Sequence, residues 1–456
     1  MVSMGIIDSD NSKYLKNYIL RRLDLFAIIS LIVWISFFPP PIHQRYHLVT
    51  KIFLALVFGL IFIKKHISVF KFSDFPLWVF LVAIGMNVFF AQEKNIALSA
   101  YMDLAIPIFL LYYSVSNIFS SESRFKPLAI TICILSILVS LIGIIESFFA
   151  VNPIYKYLVE NSYYQRYIAG FVRPMSTQFN PIVLGSFILA SLPFNFFIFK
   201  RENSFTKWLG ATGLIFCMTV GILTFSRSFF LGLIIMIVFY ESIYKKKKNL
   251  LILSFSVIIL IFMFSYLPYP FKRYGIDWLT TKESGILSTY RLNRYIMVQR
   301  IINDHPFVGL GLQHIRTRFH EYYPSQDILP RDLTVVDNSY EYVFNQQIHP
   351  YEFMIADNMY LTILGETGII GFFGFLVFIF SIFRKTWRQL EILTYPSKRK
   401  QELLIILSAF IGLLVSMGGY ELFYWPSQYI YFCILVGLLE AYYINSKGHG
   451  LSQSNA

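Results

Sequence analysis

Two arginines in the sequence stand where a positive charge requires an anionic partner. Arg291 lies near the start of a predicted helix of roughly fourteen residues, which Ser288 or Thr289 can cap. Pro306 ends this helix, because proline disfavours helical geometry in the residue before it. Arg227 lies between two serines at the junction of two apolar runs. A guanidinium stays charged at every working pH and contacts two oxygens at once, so both arginines are candidates for anion binding.

The predicted helix also sets the environment of its arginine. Steps of four and three residues put Arg291 on one face with Tyr295, Val298 and Ile302. We expect this face to be buried or to contact the membrane. An arginine at its end therefore requires a negatively charged group nearby.

Several carboxylates lie near the ends of apolar runs. Asp103 and Glu146 fall near the ends of the fourth and fifth runs, and Asp357, followed by Asn358, comes directly before another run. Carboxylates within a membrane are costly and usually paired, so Asp103 and Glu146 are candidate site residues. A structural ion pair, or a position at the membrane interface, is an equally good explanation for these two.

The elements that must position these residues are membrane-spanning helices. Hydrophobic residues make up 56% of the 456 positions and charged residues only 14%, which excludes an ordinary soluble domain. The sequence predicts an all-α polytopic membrane protein with about 12 transmembrane helices. The predicted spans are 23–38, 48–63, 75–91, 96–118, 127–149, 180–199, 208–225, 228–244, 249–266, 358–383, 403–420 and 427–443.

The basic residues predict how this helical protein is oriented. They cluster in short segments between apolar runs, which is typical of cytoplasmic loops and does not indicate nucleic-acid binding, despite the net charge of +13. Both termini are then cytoplasmic. Residues 1–266 hold transmembrane helices 1–9, residues 267–357 form one large outward-facing (periplasmic) loop with short helices, and residues 358–456 hold helices 10–12 and a cytoplasmic tail. The distribution of basic residues also requires a break at Ser226, Arg227 and Ser228. In addition, a single helix over 208–240 would be about 50 Å long, which is too long for one span.

The motifs at these positions resemble the O-antigen ligase and polymerase family. They are Thr-Phe-Ser-Arg-Ser at 224–228, Tyr-Arg at 290–291 with the helix after it, Asp-His-Pro-Phe-Val-Gly-Leu-Gly at 304–311, and Asp-Asn-Met-Tyr-Leu-Thr-Ile-Leu-Gly-Glu-Thr-Gly-Ile-Ile-Gly at 357–371. The last motif contains Glu366, which we expect to be buried and hydrogen-bonded, and Gly368 and Gly371, which permit close helix approach. The similarity is strongest over residues 180–375.

The resemblance implies a membrane glycosyltransferase in the bacterial inner membrane. Its substrate is an oligosaccharide on undecaprenyl diphosphate, and its acceptor is either lipid A core, for a ligase, or a second lipid-linked glycan, for a polymerase. Membrane lipids surround the protein, and a chain-length regulator protein is a further expected partner. The transfer is expected to be inverting and independent of metal ions and cofactors. Arg227 and Arg291 match the two arginine positions of the family that bind the diphosphate.

One residue departs from the ligase pattern. Ligases of this family carry a histidine before the asparagine that begins the span after the loop, and here Asp357 precedes Asn358. A carboxylate can take the proton of a sugar hydroxyl, or Asp357 can pair with Arg291 or Arg227 instead. The substitution favours a polymerase. A ligase would require another histidine, such as His349, as the base.

A transporter or flippase of lipid-linked glycan is the main competing class for a chain of this composition. Such proteins often contain internal repeats and polar residues near the middle of the membrane. No repeat relates the two halves of this sequence, and its candidate site residues crowd the predicted outer face. The sequence therefore favours an enzyme.

Overall fold

The computed structural model describes residues 9–37, 46–63, 74–119, 124–154, 167–168, 171–200, 203–243, 284–322, 356–393 and 397–453. Within these ranges the chain is almost entirely helical. The helices are α1 (Ser9–Phe37), α2 (Tyr46–Ile63), α3 (Phe75–Phe90), α4 (Lys94–Ile118), α5 (Phe125–Phe149), α6 (Pro181–Phe199), α7 (Ser204–Leu223), α8 (Arg227–Ile243), α9 (Ser284–Asp304), α10 (His314–Tyr322), α11 (Met359–Ile392), α12 (Lys398–Met417) and α13 (Pro426–Gln453). A 3-10 turn spans Leu422–Tyr424, and β1 (Tyr167–Ile168) pairs antiparallel with β2 (Phe171–Val172).

The helices pack into one bundle with an apolar core. Helix α4 packs against α13, α3 against α11, and α6 against α7 and α12. Seven of the described helices are long and apolar enough to cross a membrane, namely α4, α5, α6, α7, α11, α12 and the first part of α13. Shorter apolar stretches lie in α1, α2 and α3. The prediction of an all-helical membrane protein is therefore confirmed.

The predicted spans can be compared with these helices one by one. Each coincides with a helix except 249–266, which lies outside the described residues. We predicted twelve membrane-spanning helices. Within the described part of the chain, seven helices are long and apolar enough to cross a membrane.

The break between the seventh and eighth predicted spans is confirmed. Helix α7 ends at Leu223 and α8 begins at Arg227. Between them Phe225 has a left-handed backbone with a φ of 50°. The Thr224 hydroxyl donates a 2.7 Å hydrogen bond to the Gly221 carbonyl and accepts one from the Ser226 amide at 3.3 Å. These local bonds replace helical hydrogen bonds, so the chain can reverse its direction here.

The predicted loop helix exists as α9, which begins four residues before Ser288 and ends at Asp304. Its buried face differs from the one we expected. Tyr295 is 38% exposed, whereas Met297, Val298 and Ile301 are 0–1% exposed. These residues form a small second core with α10, and α9 packs against α11. This core shares Val298 and Ile302 with the expected face and does not include Tyr295, because packing on two neighbours centres the buried face about one residue away.

Helix α11 is interrupted, and the segment before α10 fills the gap. Gly368 has a non-helical backbone with a φ of 64° and a ψ of −170°. The amides of Leu310 and Gly311 donate to the carbonyls of Gly365 and Glu366 at 2.9 and 3.0 Å. In the opposite direction, the amides of residues 369 and 370 donate to the carbonyls of residues 306 and 307 at 2.9 and 3.1 Å. Non-helical backbone at membrane depth requires such partners within the protein.

Asn87 of α3 fixes this joint from the side. Its Nδ2 donates to the Val308 carbonyl at 2.5 Å and to the Glu366 carbonyl at 2.7 Å, while its Oδ1 accepts from the Leu312 amide at 2.8 Å. The residue is only 1% exposed. One side chain therefore joins α3, the interrupted helix and the segment that leads to α10.

Replacing Asn87 by alanine is expected to destabilise the protein by about 2 kcal/mol, because buried backbone groups lose their partners. Thermal unfolding of the purified protein in detergent measures the loss. The matched control is Asn117→Ala in α4, since the Asn117 side chain donates a 2.7 Å hydrogen bond to the Tyr113 carbonyl of its own helix. Equal losses in the two variants would contradict the role we assign to Asn87.

Candidate functional site

The turn between α7 and α8 carries the first candidate arginine. Arg227 is exposed and is the first residue of α8. Another arginine reaches the same turn, because Arg173 Nε donates a 2.9 Å hydrogen bond to the Thr224 carbonyl. Arg173 follows β2 directly. Two guanidinium groups are thus held at one turn of the bundle.

The connection between α12 and α13, residues 418–425, ties this turn to the start of α11. Gly419 lies against Ser228, the second residue of α8, so closely that a Cβ on it would be 2.6 Å from the Ser228 Cβ. Two residues later, the Glu421 carboxylate accepts hydrogen bonds from the Ala356 amide and, at 2.6 Å, from the Thr362 hydroxyl. Arg227 and Asp357 therefore lie at the same end of the bundle. We call it the Asp357 end.

Asp357 itself forms an ion pair with Arg294 of α9. Both side chains are largely buried, at 16% and 19% exposure. The Asp357 backbone is left-handed, with a φ of 53°, and the residue before it is fixed by Glu421. Asp357 thus pairs with an arginine, Arg294, that we did not single out from the sequence, whereas the side chain of Arg291, one of the two partners we considered, lies outside the described residues.

Asn358 has a capping role in the structure. Its Oδ1 accepts hydrogen bonds from the amides of Tyr360 and Leu361 at 3.0 and 3.2 Å. These are two of the free N–H groups at the start of α11. Asn358 therefore begins the helix and fixes the direction of the residue before it.

Glu421 is a buried carboxyl group close to both Asp357 and Arg316. Burial raises its pKa to about 7, although the charge of Arg316 and the hydrogen bonds to Thr362 and Ala356 act in the opposite direction. Through its hydrogen bonds to Ala356 and Thr362 it supports the start of α11.

A cavity of about 320 Å³ lies beside this connection. Polar side chains from four parts of the chain line it, and they are Thr50, Lys51, Asp103, Gln313, Arg316 and Tyr424. Lys51 and Asp103 form an ion pair at 2.7 Å. The Arg316 guanidinium lies over the Tyr424 ring, 4.2 Å from its centroid. We call this space the Arg316 cavity.

Glu366 is buried behind this cavity, at 2% exposure. The Tyr424 hydroxyl donates a hydrogen bond to its Oε2. Burial and hydrogen bonding of Glu366 are as the sequence predicted. Gly368 does more than permit close helix approach, because it is the point at which α11 is interrupted.

The remaining predicted site residues lie in different places. Asp103 lines the Arg316 cavity, whereas Glu146 is completely buried at the end of α5. The Glu146 Oε2 accepts from the amides of Met175 and Ser176 at 3.1 and 2.7 Å, so the structural explanation fits it better. Arg291 lies in α9, but its side chain is outside the described residues, as is the whole of His349.

Sequence reasoning missed Arg294, Arg316 and Glu421. Arg294 and Arg316 stood among several arginines of the predicted loop, and only their contacts separate them from the others. Glu421 carried a usable signal, because it is a single carboxylate between two apolar runs. A charge in such a position is usually paired or functional.

Comparison with known proteins agrees with this arrangement. Residues 212–376 match the family model described as O-antigen ligase. The match extends from α7 through α8, α9 and α10 to the part of α11 beyond its interruption, and it includes Arg227, Arg291 and Asp357. No curated protein sequence matches the chain. The family resemblance seen in the sequence is therefore confirmed.

Proposed function

We propose that this membrane protein, whose residues 212–376 match the family model described as O-antigen ligase, belongs to the O-antigen ligase and polymerase family and polymerises a bacterial surface polysaccharide. It transfers a glycan from undecaprenyl diphosphate onto a second lipid-linked repeat unit. The Asp357 end faces the periplasm, residues 267–357 form a periplasmic loop, and both termini lie in the cytoplasm. The protein resides in the inner membrane, and a chain-length regulator protein is its expected partner.

In this proposal arginines bind the leaving group. Breaking the bond between the sugar and the diphosphate leaves negative charge on the departing phosphate, and guanidinium groups at a low-dielectric boundary stabilise such charge strongly. Arg227 and Arg291 take this role, and the position of Arg173 at the Arg227 turn supports it. With the charge compensated in this way, the transfer requires neither a metal ion nor a cofactor.

Asp357 is the proposed base. Its carboxylate accepts the proton of the acceptor hydroxyl while that oxygen bonds to the anomeric carbon of the donor sugar and the bond to the diphosphate breaks. Attack from the side opposite the leaving group inverts the anomeric configuration. The observation that carries the proposal is a carboxylate at the start of α11 that pairs with Arg294 and directly follows the Ala356 amide bonded to Glu421, at the end of the bundle where Arg227 lies.

A ligase is the second candidate, because ligase is the description of the matching family. It would transfer finished glycan to lipid A core. The two candidates differ in their acceptor and therefore in the glycans that accumulate when the protein is lost.

Gel separation of surface glycans tests the proposal. Cells lacking the protein are complemented with the wild type, Arg227→Ala, Arg291→Ala or the control Arg388→Ala, which replaces an exposed arginine far along α11. We expect the wild type and the control to restore a ladder of chain lengths. The two site variants should leave a single repeat unit on core, at equal protein level by immunoblot. Complete loss of glycan from core, with long polymer on the lipid carrier, would instead identify a ligase.

A further inference from the structure

We propose that the Arg316 cavity is a sugar-binding subsite that holds one residue of the acceptor glycan. This inference rests on the proposed transfer to a lipid-linked acceptor. Within the described part of the chain, the residues that line the cavity are different from Arg227, Arg294 and Asp357. The subsite therefore adds a second recognition element to the Asp357 end.

Arg316 has hydrogen-bonding capacity that the described residues leave unused. Its Nε is buried and has no hydrogen-bond partner among them. The guanidinium lies over the Tyr424 ring, and this contact restricts the directions of its donors. A buried donor of this kind is costly unless a ligand or water completes it. The group is therefore prepared for an oxygen-bearing ligand.

The charges of the cavity favour a neutral, hydroxyl-rich ligand over an anion. Lys51 and Arg316 are positive, but Asp103, which lines the same cavity, is negative. A phosphate would meet repulsion from the Asp103 carboxylate. A sugar hydroxyl can donate to Asp103 and accept from Arg316, Lys51 or Gln313 at the same time. Mixed donors and acceptors of this kind suit a sugar.

The remaining walls are apolar and partly aromatic. Phe423, Pro426 and Tyr429 line the cavity together with aliphatic residues of α2 and α4. Aromatic side chains offer broad apolar surface to the face of a ring. A volume of about 320 Å³ is at the small end of the range for ligand sites, which suits one sugar residue and not a whole repeat unit.

The location of the cavity indicates the acceptor. Tyr424 lines it, and Glu421, which bonds to the Ala356 amide, is three residues away through the 3-10 turn. Three residues of such a turn advance about 6 Å. A glycan with one sugar in the cavity would therefore lie close to Asp357, the proposed base. The hydroxyl that reacts must be near that base, and it belongs to the acceptor.

Binding of the free repeat-unit oligosaccharide tests the inference. The probe is released from its lipid carrier by mild acid and therefore lacks the diphosphate. Saturation-transfer NMR with the full-length protein in nanodiscs measures its affinity. We expect Arg316→Gln and Asp103→Asn to weaken binding about tenfold or more each, as lost hydrogen bonds to charged groups do. Arg227→Ala should leave binding unchanged, because the probe has no phosphate.

The controls separate a ligand contact from a structural effect. Lys94→Gln and Glu93→Gln remove exposed charges at the start of α4, outside the cavity, and should bind as the wild type does. Because Arg316→Gln also removes the cation beside Glu421, Asp103→Asn, in a different helix, provides an independent variant, and unfolding midpoints confirm that both are folded.

Three outcomes would overturn the subsite. Wild-type affinity in both cavity variants would do so, as would failure of the wild type to bind the oligosaccharide while it still polymerises glycan in cells. Displacement of the oligosaccharide by inorganic pyrophosphate from the wild type, but not from Arg316→Gln, would assign the cavity to a phosphate. The first and third results do not depend on the glycan ladder, and the second requires an intact ladder, so failure of the subsite and failure of the proposed function are distinguishable.

Discussion

Replacing Asp357 by asparagine is expected to slow glycan transfer by about 10²- to 10⁴-fold, the usual contribution of a general base. Asparagine has nearly the same shape and can still bond to Arg294, but it cannot take a proton. It also tolerates the left-handed backbone that this position requires, with its φ of 53°. The start of α11 should therefore remain folded while the chemistry fails. Polymerisation of purified lipid-linked repeat unit by the protein in vesicles measures the rate.

Arg294→Gln separates the two roles that the ion pair permits for Asp357. If Asp357 only positions Arg294 through opposite charge, both variants abolish the ion pair and should be equally slow. If Asp357 is the base, Asp357→Asn should be slower than Arg294→Gln by tenfold or more, and Asp357→Glu should recover part of the rate. Equal rates for Asp357→Asn and Arg294→Gln would contradict the proposed base.

The parts of this fold that the sequence revealed are those governed by local rules. The break before Arg227 follows from the length of an apolar run and from the positions of basic residues. The end of α9 follows from Pro306, and the start of α11 from the apolar run that begins at residue 358. Each of these signals lies within a few residues of the feature that it predicts, so a single sequence is sufficient to read it.

The contacts that build the site could not be found in this way. Asn87 bonds to Leu312, which is 225 positions away in the chain, and Ala356 bonds to Glu421 across 65 positions. Arg294 was indistinguishable from its neighbours in a helix with several arginines. Its pairing with Asp357 depends on how α9 packs against α11. The position of Tyr295 outside the buried face of α9 has the same origin, since periodicity alone does not decide which neighbours a helix contacts.

Replacing Gly368 by alanine is expected to destabilise the protein by more than about 3 kcal/mol, because two costs add. A φ of 64° with a ψ of −170° is a backbone conformation that essentially only glycine adopts. In addition, a Cβ at this position would lie 2.3 Å from the Phe307 carbonyl oxygen, which is backbone and cannot turn away. Unfolding midpoints in detergent measure the loss.

The Gly368→Ala substitution should affect more than α11, because the two backbone segments that meet at Gly368 also support the Arg316 cavity. Gly309, with a φ of 70°, fits against Glu366 on the other side of the joint, and Leu312 and Gln313 follow it into the cavity wall. Gly368→Ala should therefore weaken oligosaccharide binding as well as stability. The matched control is Gly59→Ala in α2, where an added Cβ meets nothing within 4 Å. Because alanine favours helix over glycine, the control should be neutral or slightly stabilising. A Gly368→Ala protein as stable as this control would show that the interruption of α11 is not required by the fold.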